Sequence, residues 1–151
     1  YARNTSAGGS DVTVGVTYTG IDGLTLAVGT GNTATGGTAE VDSTTYGAKY
    51  ATGGFTFGLQ LTDVTTNGST EEEDGVHYGV TYNVNDDFTI GYVRQETDFS
   101  GSSADEEHSG FQASYSMGSI SFSGRVSKVD NMGGSASASD EDKHITMSIA
   151  F

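Results

Sequence analysis

Apolar residues alternate with small or polar ones in nine short stretches of this 151-residue chain. In the last stretch Ile145, Met147, Ile149 and Phe151 share one side, and the residues between them are small or polar. A two-residue period belongs to a β-strand with one apolar and one polar face. The sequence therefore predicts nine strands, over residues 12–18, 24–28, 46–50, 55–61, 76–82, 88–92, 111–115, 120–126 and 145–151, after a loop at residues 1–10.

The intervals between these stretches alternate strictly between short and long. They contain 5, 17, 4, 14, 5, 18, 4 and 18 residues in chain order. The short intervals fit tight hairpin turns, with Asp22-Gly23 and Gly53-Gly54 supplying the turn chemistry. A tyrosine also recurs about every 32 residues, at positions 18, 50, 82 and 115, and marks a repeating hairpin. The pattern predicts one all-β domain over residues 1–151, built as an antiparallel up-and-down sheet.

Composition alone would point to a disordered chain. Only 34% of the residues are hydrophobic and the net charge is −14, a combination that usually cannot form a core. The strict alternation argues for order instead. Sixteen of the 20 acidic residues fall in the four long intervals, so we expect long acidic loops at one end of the sheet. The acidic balance disfavours nucleic acid as a partner, because phosphate contacts need clustered Lys and Arg.

Tyrosines on the apolar face indicate what that face touches. Those at positions 18, 46, 50, 78, 82, 92 and 115 lie mostly at strand ends, where an amphipathic ring suits a membrane interface. With short turns at one end and polar connections at the other, the pattern is typical of a transmembrane β-barrel. A soluble sandwich, a β-helix or an adhesin module would alternate too, and these alternatives stay open here. The predicted interface aromatics are Tyr18, Tyr46, Tyr50, Tyr78, Tyr82, Tyr92, Tyr115 and Phe151.

The opposite, polar face suits a water-filled lumen. Its predicted pore-lining residues are Lys49, Gln60, His77, Gln112, Arg125 and His144. Lys49 and Arg125 are the only charges within the nine stretches, and fixed charge in a lumen biases which ions pass.

In this pattern, and in a C-terminal amphipathic strand that ends in Phe151, the chain resembles the Gram-negative general porins, particularly the small acidic alphaproteobacterial ones. The resemblance implies an outer-membrane, trimeric, 16-stranded barrel that passes small hydrophilic solutes and ions by diffusion. It implies lipid and lipopolysaccharide around the barrel, and recognition of the C-terminal strand by the barrel-assembly machinery. It also implies a periplasmic C-terminus and extracellular acidic loops.

Nine strands depart from the family pattern, because bacterial barrels have even strand numbers with both termini on the periplasmic side. We therefore expect the sequence to be the C-terminal portion of a porin of roughly 270–320 residues. The family's constriction loop lies in the other portion, so no eyelet residues are assigned.

Other functions receive less support from the sequence. The acidic run Glu71, Glu72, Glu73 and Asp74 is a weak candidate for Ca²⁺, without the spacing of a known calcium loop. His77, His144 and His108, the last expected in a loop, have no spacing that defines a hydrolase, so neither an enzyme nor a cofactor is predicted. The alternative function is a small outer-membrane barrel or surface β-protein with a structural or adhesive role.

Overall fold

The computed structural model describes residues 2–4, 10–34, 40–67, 72–102 and 104–149. Ten strands of these ranges form one antiparallel sheet in simple chain order. They are β1 Ala2–Asn4, β2 Ser10–Ile21, β3 Leu24–Ala34, β4 Glu40–Thr52, β5 Phe55–Thr66, β6 Glu72–Asn83, β7 Phe88–Phe99, β8 Glu106–Met117, β9 Ile120–Asp130 and β10 Asp140–Ile149, with a 3₁₀ turn at Met132–Gly134. No helix in the described part of the chain is long and apolar enough to cross a membrane.

The nine predicted strands are confirmed as β2 to β10. The predicted loop at residues 1–10 is wrong in part, because Ala2–Asn4 pairs with β2 and β2 itself begins at Ser10. Three residues are too few to show an alternation, and strand pairing needs only backbone groups. The remainder of that loop, residues 1 and 5–9, lies outside the described residues.

The predicted hairpin turns are confirmed, and together they form what we call the turn end of the sheet. Gly23 has φ 73°, and Gly53 and Gly54 have φ 54° and 84°. Two successive residues with positive φ define the turn that matches the twist of paired strands. At the turn between β6 and β7, the Asn85 side chain accepts the Phe88 N–H at 2.8 Å.

The predicted long acidic loops are wrong. Strands β2 to β10 are 10 to 13 residues long and run well past their apolar stretches at the end opposite the turns, which we call the mouth end. Fourteen of the sixteen acidic residues therefore lie on strands, Asp105 lies in a connection, and Glu71 falls outside the described residues. Hydrogen bonding between strands continues wherever two backbones stay paired, whether the side chains are apolar or charged.

Strand pairing shows that the strands are tilted. The tyrosines at positions 18, 50, 82 and 115 lie on alternate strands, β2, β4, β6 and β8. When the pairing is followed from one tyrosine across two strands, it leads to a residue two positions before the next tyrosine. Each tyrosine therefore lies two residues nearer the turn end than the one before. The pairings that establish this offset are Tyr18–Leu26–Ala48, Tyr50–Phe57–Val80 and Tyr82–Ile90–Ala113. If the four tyrosines lie at one height on the barrel, the strands must be tilted to produce this offset of two residues for every two strands. With about 3.4 Å per residue and about 4.8 Å between strands, the tilt is about 35°.

The sheet has no conventional core. Val129 is the single buried hydrophobic residue among those described, whereas many large apolar side chains of the other face are exposed, from Val76 at 36% to Ile145 at 85%. The total accessible surface is 10056 Å², against about 7,200 Å² for a globular monomer of this mass. The structure is thus an open, partial barrel with one wide apolar face, which requires a non-aqueous environment or a partner.

Candidate pore face and membrane face

The seven predicted interface tyrosines within the described residues all lie on the apolar face, at two levels. Tyr18, Tyr50, Tyr82 and Tyr115 lie near the turn end with a constant two-residue offset, and with strands tilted by about 35° they form one level. Tyr46 and Tyr78 belong to a second level nearer the mouth end, and Tyr92 lies close to it. The eighth, Phe151, lies outside the described residues.

Two phenylalanines that were not predicted as interface residues also lie at the turn-end level. Phe55 stacks on Tyr82 with ring centroids 4.2 Å apart, and Phe88 meets Tyr115 edge-on at 6.5 Å. Each pair is directly opposed across neighbouring strands. Each of the two phenylalanines begins a strand directly after a turn, and this position could have identified them from the sequence. Aromatic pairs of this kind stabilise a sheet beyond the area that they cover.

Above the tyrosines, the same outward face becomes charged. Arg94 bridges Glu96 at 2.7 Å and Glu107 at 2.9 Å, and Lys128 pairs with Asp130 at 2.7 Å. These side chains lie on strands, at ladder positions where β3 to β6 carry apolar residues, because the strands are tilted. The pairs are exposed and each contributes little to stability. The apolar face therefore ends at these pairs.

The opposite face carries all six predicted pore-lining residues. Gln60 and His77 are direct cross-strand partners, and the row continues through Gln95 to His108. Gln112, Arg125 and His144 form a second row of direct partners. Gln95 was not predicted to line the pore, and the prediction that His108 lies in a loop is wrong, because His108 lies in β8. Neither residue could be recognised from the hydrophobic pattern, because the strand neighbours that point to the apolar face are charged or polar: Arg94 and Glu96 beside Gln95, Glu107 and Ser109 beside His108.

This polar face is concave. Three adjoining hollows run along it, one of them with a volume of about 530 Å³, and together they contact every one of the six predicted residues. We call this continuous hollow the trough. Gly58 and Gly79 form part of its floor, where a Cβ on Gly79 would approach the Tyr92 carbonyl oxygen to 3.0 Å. Glycine at that point allows the two strands to pair closely.

Charge is distributed unevenly along the trough. Arg125 forms an ion pair with Asp142 at 3.0 Å, whereas Lys49 has no described carboxylate within ion-pair distance. Nearer the mouth end the face is acidic, with Glu73, Glu106 and Asp140 on the same side of their strands as His77, His108 and His144.

Glu106 is the most constrained of these acids. Its carboxylate accepts the Gly133 N–H at 2.6 Å and contacts His108 Nε2 at 2.7 Å. It lies five residues before Phe111, where the apolar face of β8 begins, and so lies beyond that face. The hydrogen bond from Gly133 lowers the pKa of Glu106 below its ordinary value; partial burial opposes the effect, and the hydrogen bond with His108 adds to it.

The weak calcium candidate does not form a site in the described residues. Glu72, Glu73 and Asp74 are on β6, not in a loop, so Glu73 points to the face opposite its two neighbours. Glu71 is outside the described residues, and among those described no group of three His, Cys, Asp or Glu is placed to hold a metal ion.

Comparison with known proteins assigns the family. The model of the Gram-negative porin family matches residues 1–134, so the chain belongs to the Gram-negative porins. That match ends before β10, and it is therefore independent of the C-terminal strand that carried the resemblance in the sequence. No curated protein matches the chain significantly in sequence.

Solved structures share the fold. An anion-selective porin from Comamonas acidovorans superimposes with a TM-score of 0.77 at 16% identity, covering 94% of this chain and 49% of that one. The NanC porin gives a TM-score of 0.66 at 15% identity, covering 95% and 79%. OmpT of Vibrio cholerae in its trimer form gives 0.57 at 16% identity, covering 92% and 53%. The chain thus spans about half of the anion-selective porin. All three share its strand architecture, and the protein is an outer-membrane porin by family and fold.

Proposed function

We propose that this chain forms part of the wall of a water-filled, non-enzymatic channel through which small hydrophilic solutes and ions diffuse passively across the outer membrane. The observation that supports this most directly is the division of one sheet into two faces. One face is exposed and apolar, with tyrosines at two levels, and the other is a concave, mostly polar trough of Gln, His, Lys, Arg, Ser, Thr and Gly, with Val93 among them and acids nearer the mouth end. A barrel with this arrangement has a lipid-facing outside and an aqueous inside.

The charge pattern of the trough supports a weak preference for cations. Acids at the mouth end raise the local concentration of cations, and they outnumber Lys49 and Arg125. Arg125 is partly neutralised by Asp142 at 3.0 Å, which leaves Lys49 as the main opposing charge. The preference should increase at low salt, where the Debye length grows from about 10 Å at 0.1 M to about 30 Å at 0.01 M.

The assembly proposed is a homotrimer with its mouth end outside the cell and its turn end in the periplasm. The outward charged residues above the tyrosines would then lie at the level of lipopolysaccharide head groups, and the apolar face would contact lipid. The C-terminal strand would be the segment that the barrel-assembly machinery recognises. The V. cholerae OmpT structure in its trimer form, a relative in fold, is consistent with this assembly.

The test is conductance of the purified full-length protein in planar bilayers, with reversal potentials under a salt gradient. We expect open channels with a weak cation preference. Lys49→Glu and Arg125→Glu should each increase that preference, because both side chains line the trough. Lys128→Glu is the matched control: it is on the same strand as Arg125 but on the outward face, so it should change the reversal potential little.

A correctly inserted protein that conducts no ions would refute the channel and favour the structural or adhesive alternative. Lys49→Glu and Arg125→Glu variants with unchanged reversal potentials would show that these side chains lie outside the ion path.

A further inference from the structure

Two of the three hollows of the trough overlap on the same four residues. Lys49, Gly58, Gly79 and Val93 line both of them. The pairing of β4 to β7 places these residues side by side in that order, as Lys49–Gly58, Gly58–Gly79 and Gly79–Val93. We call the space above them the central hollow. Its floor is open from Lys49 to Val93, because both intervening residues are glycine and have no side chain.

The larger side chains on the mouth side leave the central hollow open. Gln60 Nε2 donates a hydrogen bond to Thr62 Oγ1 at 3.2 Å, and His77 Nε2 lies 3.1 Å from the place that a Cβ on Gly75 would occupy. Thr62 and Gly75 are both nearer the mouth end, so these two side chains point away from the central hollow. The glycine floor therefore remains accessible to a solute.

One end of the central hollow carries an unbalanced positive charge. The Lys49 side chain is exposed, and no carboxylate of the described ranges forms an ion pair with it. The chain has 20 acidic residues, yet none of those described lines any of the three hollows. A carboxylate of a solute can thus supply the counter-ion that these residues do not.

The other end of the central hollow is apolar. Val93 is 53% exposed, and among the exposed large apolar side chains on the described strands it is the one that points into the trough. Its direct cross-strand partners, Gly79 and Gly110, have no side chains with which to cover it. An uncovered isopropyl group is stabilised when an apolar group of a solute removes it from water.

We propose that the central hollow binds small monocarboxylates that carry a compact apolar group, a proposal that rests on the channel function above and names a preferred solute class for it. The carboxylate pairs with the Lys49 ammonium and the apolar group lies on Val93. Three strand steps of about 4.8 Å separate the two residues by about 14 Å along the wall. A lysine side chain reaches about 6 Å, which leaves about 8 Å for the solute. An aromatic monocarboxylate such as benzoate spans this gap, whereas an inorganic ion or a neutral sugar cannot make both contacts.

The test measures the binding of benzoate to the full-length protein in detergent micelles by ligand-observed NMR titration. The salt concentration is about 0.15 M, so that the field of the mouth-end acids is screened beyond about 8 Å. Acetate lacks the apolar group, and benzamide lacks the charge. We expect saturable binding of benzoate, and binding of acetate and of benzamide that is weaker by at least about 3-fold.

Two pairs of variants test the two contacts separately. Lys49→Gln should weaken benzoate binding about 5-fold by removing the charge. Val93→Thr, which exchanges one methyl group for a hydroxyl group of similar size, should weaken it about 3-fold. Lys128→Gln and Val126→Thr are the matched controls. Both of these side chains lie on the outward face of β9, so the dissociation constant should not change.

A third pair of variants tests the position of the site. Gly58→Leu places a side chain in the central hollow, where no atom lies within 4 Å of an added Cβ, and should abolish saturable binding. Gly124→Leu makes the same change at an equally open position on the outward face and should leave binding unchanged. Heat-modifiable migration checks that each variant is folded.

Benzoate binding no tighter than that of acetate or benzamide would refute the proposal, as would unchanged binding in both Lys49→Gln and Val93→Thr. Planar-bilayer conductance separates this result from the channel function. A conducting protein without saturable benzoate binding would overturn the site alone. Benzoate binding by an inserted protein that does not conduct would support the site and overturn the channel.

Discussion

Two adjacent residues of β5 provide a direct test of which face meets lipid. Leu59 is on the apolar face, 45% exposed, with Ala48 and Tyr78 as its direct cross-strand partners. Gln60, the next residue, points into the trough and pairs with His77. Leu59→Arg and Gln60→Arg therefore introduce the same charge one residue apart, on opposite sides of one strand.

The expected loss of folding stability in Leu59→Arg depends on how deep Leu59 lies in the apolar band. Leu59 is four residues along β5 from Phe55, which marks the turn-end aromatic level. At about 3.4 Å per residue and a tilt of about 35°, it lies about 11 Å above that level, near the middle of an apolar band about 25 Å tall. Arginine at mid-depth destabilises a transmembrane barrel by about 2–4 kcal/mol. That corresponds to about a 30-fold to 700-fold lower folding equilibrium constant.

The assay is urea unfolding of the full-length protein in lipid vesicles, followed by heat-modifiable migration. With a slope of about 2 kcal/mol per molar urea, Leu59→Arg should lower the midpoint by about 1–2 M. Gln60→Arg loses only an exposed hydrogen bond from its side chain to Thr62 Oγ1 at 3.2 Å, so its midpoint should move by less than about 0.3 M. Equal shifts for the two variants, or a larger shift for Gln60→Arg, would refute the assignment of the faces.

Three further predictions concern assembly, turns and acid. Phe151→Ser should reduce outer-membrane incorporation well below that of Ala150→Ser, measured as heat-modifiable protein in the membrane fraction; equal incorporation would argue against a recognition role for this residue. Gly54→Ala should destabilise the protein by about 1–2 kcal/mol, because Gly54 has φ 84°, whereas Gly58→Ala, with no atom within 4 Å of the added Cβ, should leave the urea midpoint unchanged. Because the pKa of Glu106 is lowered in the folded protein, its stabilising contribution is present above the ordinary glutamate pKa and is lost as the pH falls through the folded value; a Glu106→Gln variant whose acid unfolding midpoint equals that of wild type would contradict this.

The strands, their turns and their faces could be predicted because a two-residue period fixes side-chain direction as well as backbone shape. Once Lys49 and Arg125 were placed between apolar neighbours, their side of the sheet was determined. Side-chain direction can no longer be predicted in this way where the apolar residues of a strand end. Gln95 and His108 are on strands whose outward neighbours, such as Arg94 and Glu107, are charged, so the alternation there is invisible to a hydrophobicity pattern.

The connection between β9 and β10, residues 131–139, was beyond prediction for a different reason. Its hydrogen bond from Gly133 to Glu106 joins residues 27 positions apart, and it depends on the register of β8 with β9 and on the left-handed Asn131. Neither the strand register nor the conformation of Asn131 can be inferred from the local composition. A stretch of Gly, Ser and Ala reads as an unstructured connection until its neighbours are known.

Because the two-residue offset between successive tyrosines is constant, the hairpins are geometrically equivalent. If one hairpin is duplicated or removed, the tyrosines of the remaining hairpins still lie at the same height. The circumference of the barrel can then change in increments of two strands while its height in the bilayer and its tilt stay constant. Wider and narrower barrels can therefore be built by gain or loss of whole repeats of about 32 residues.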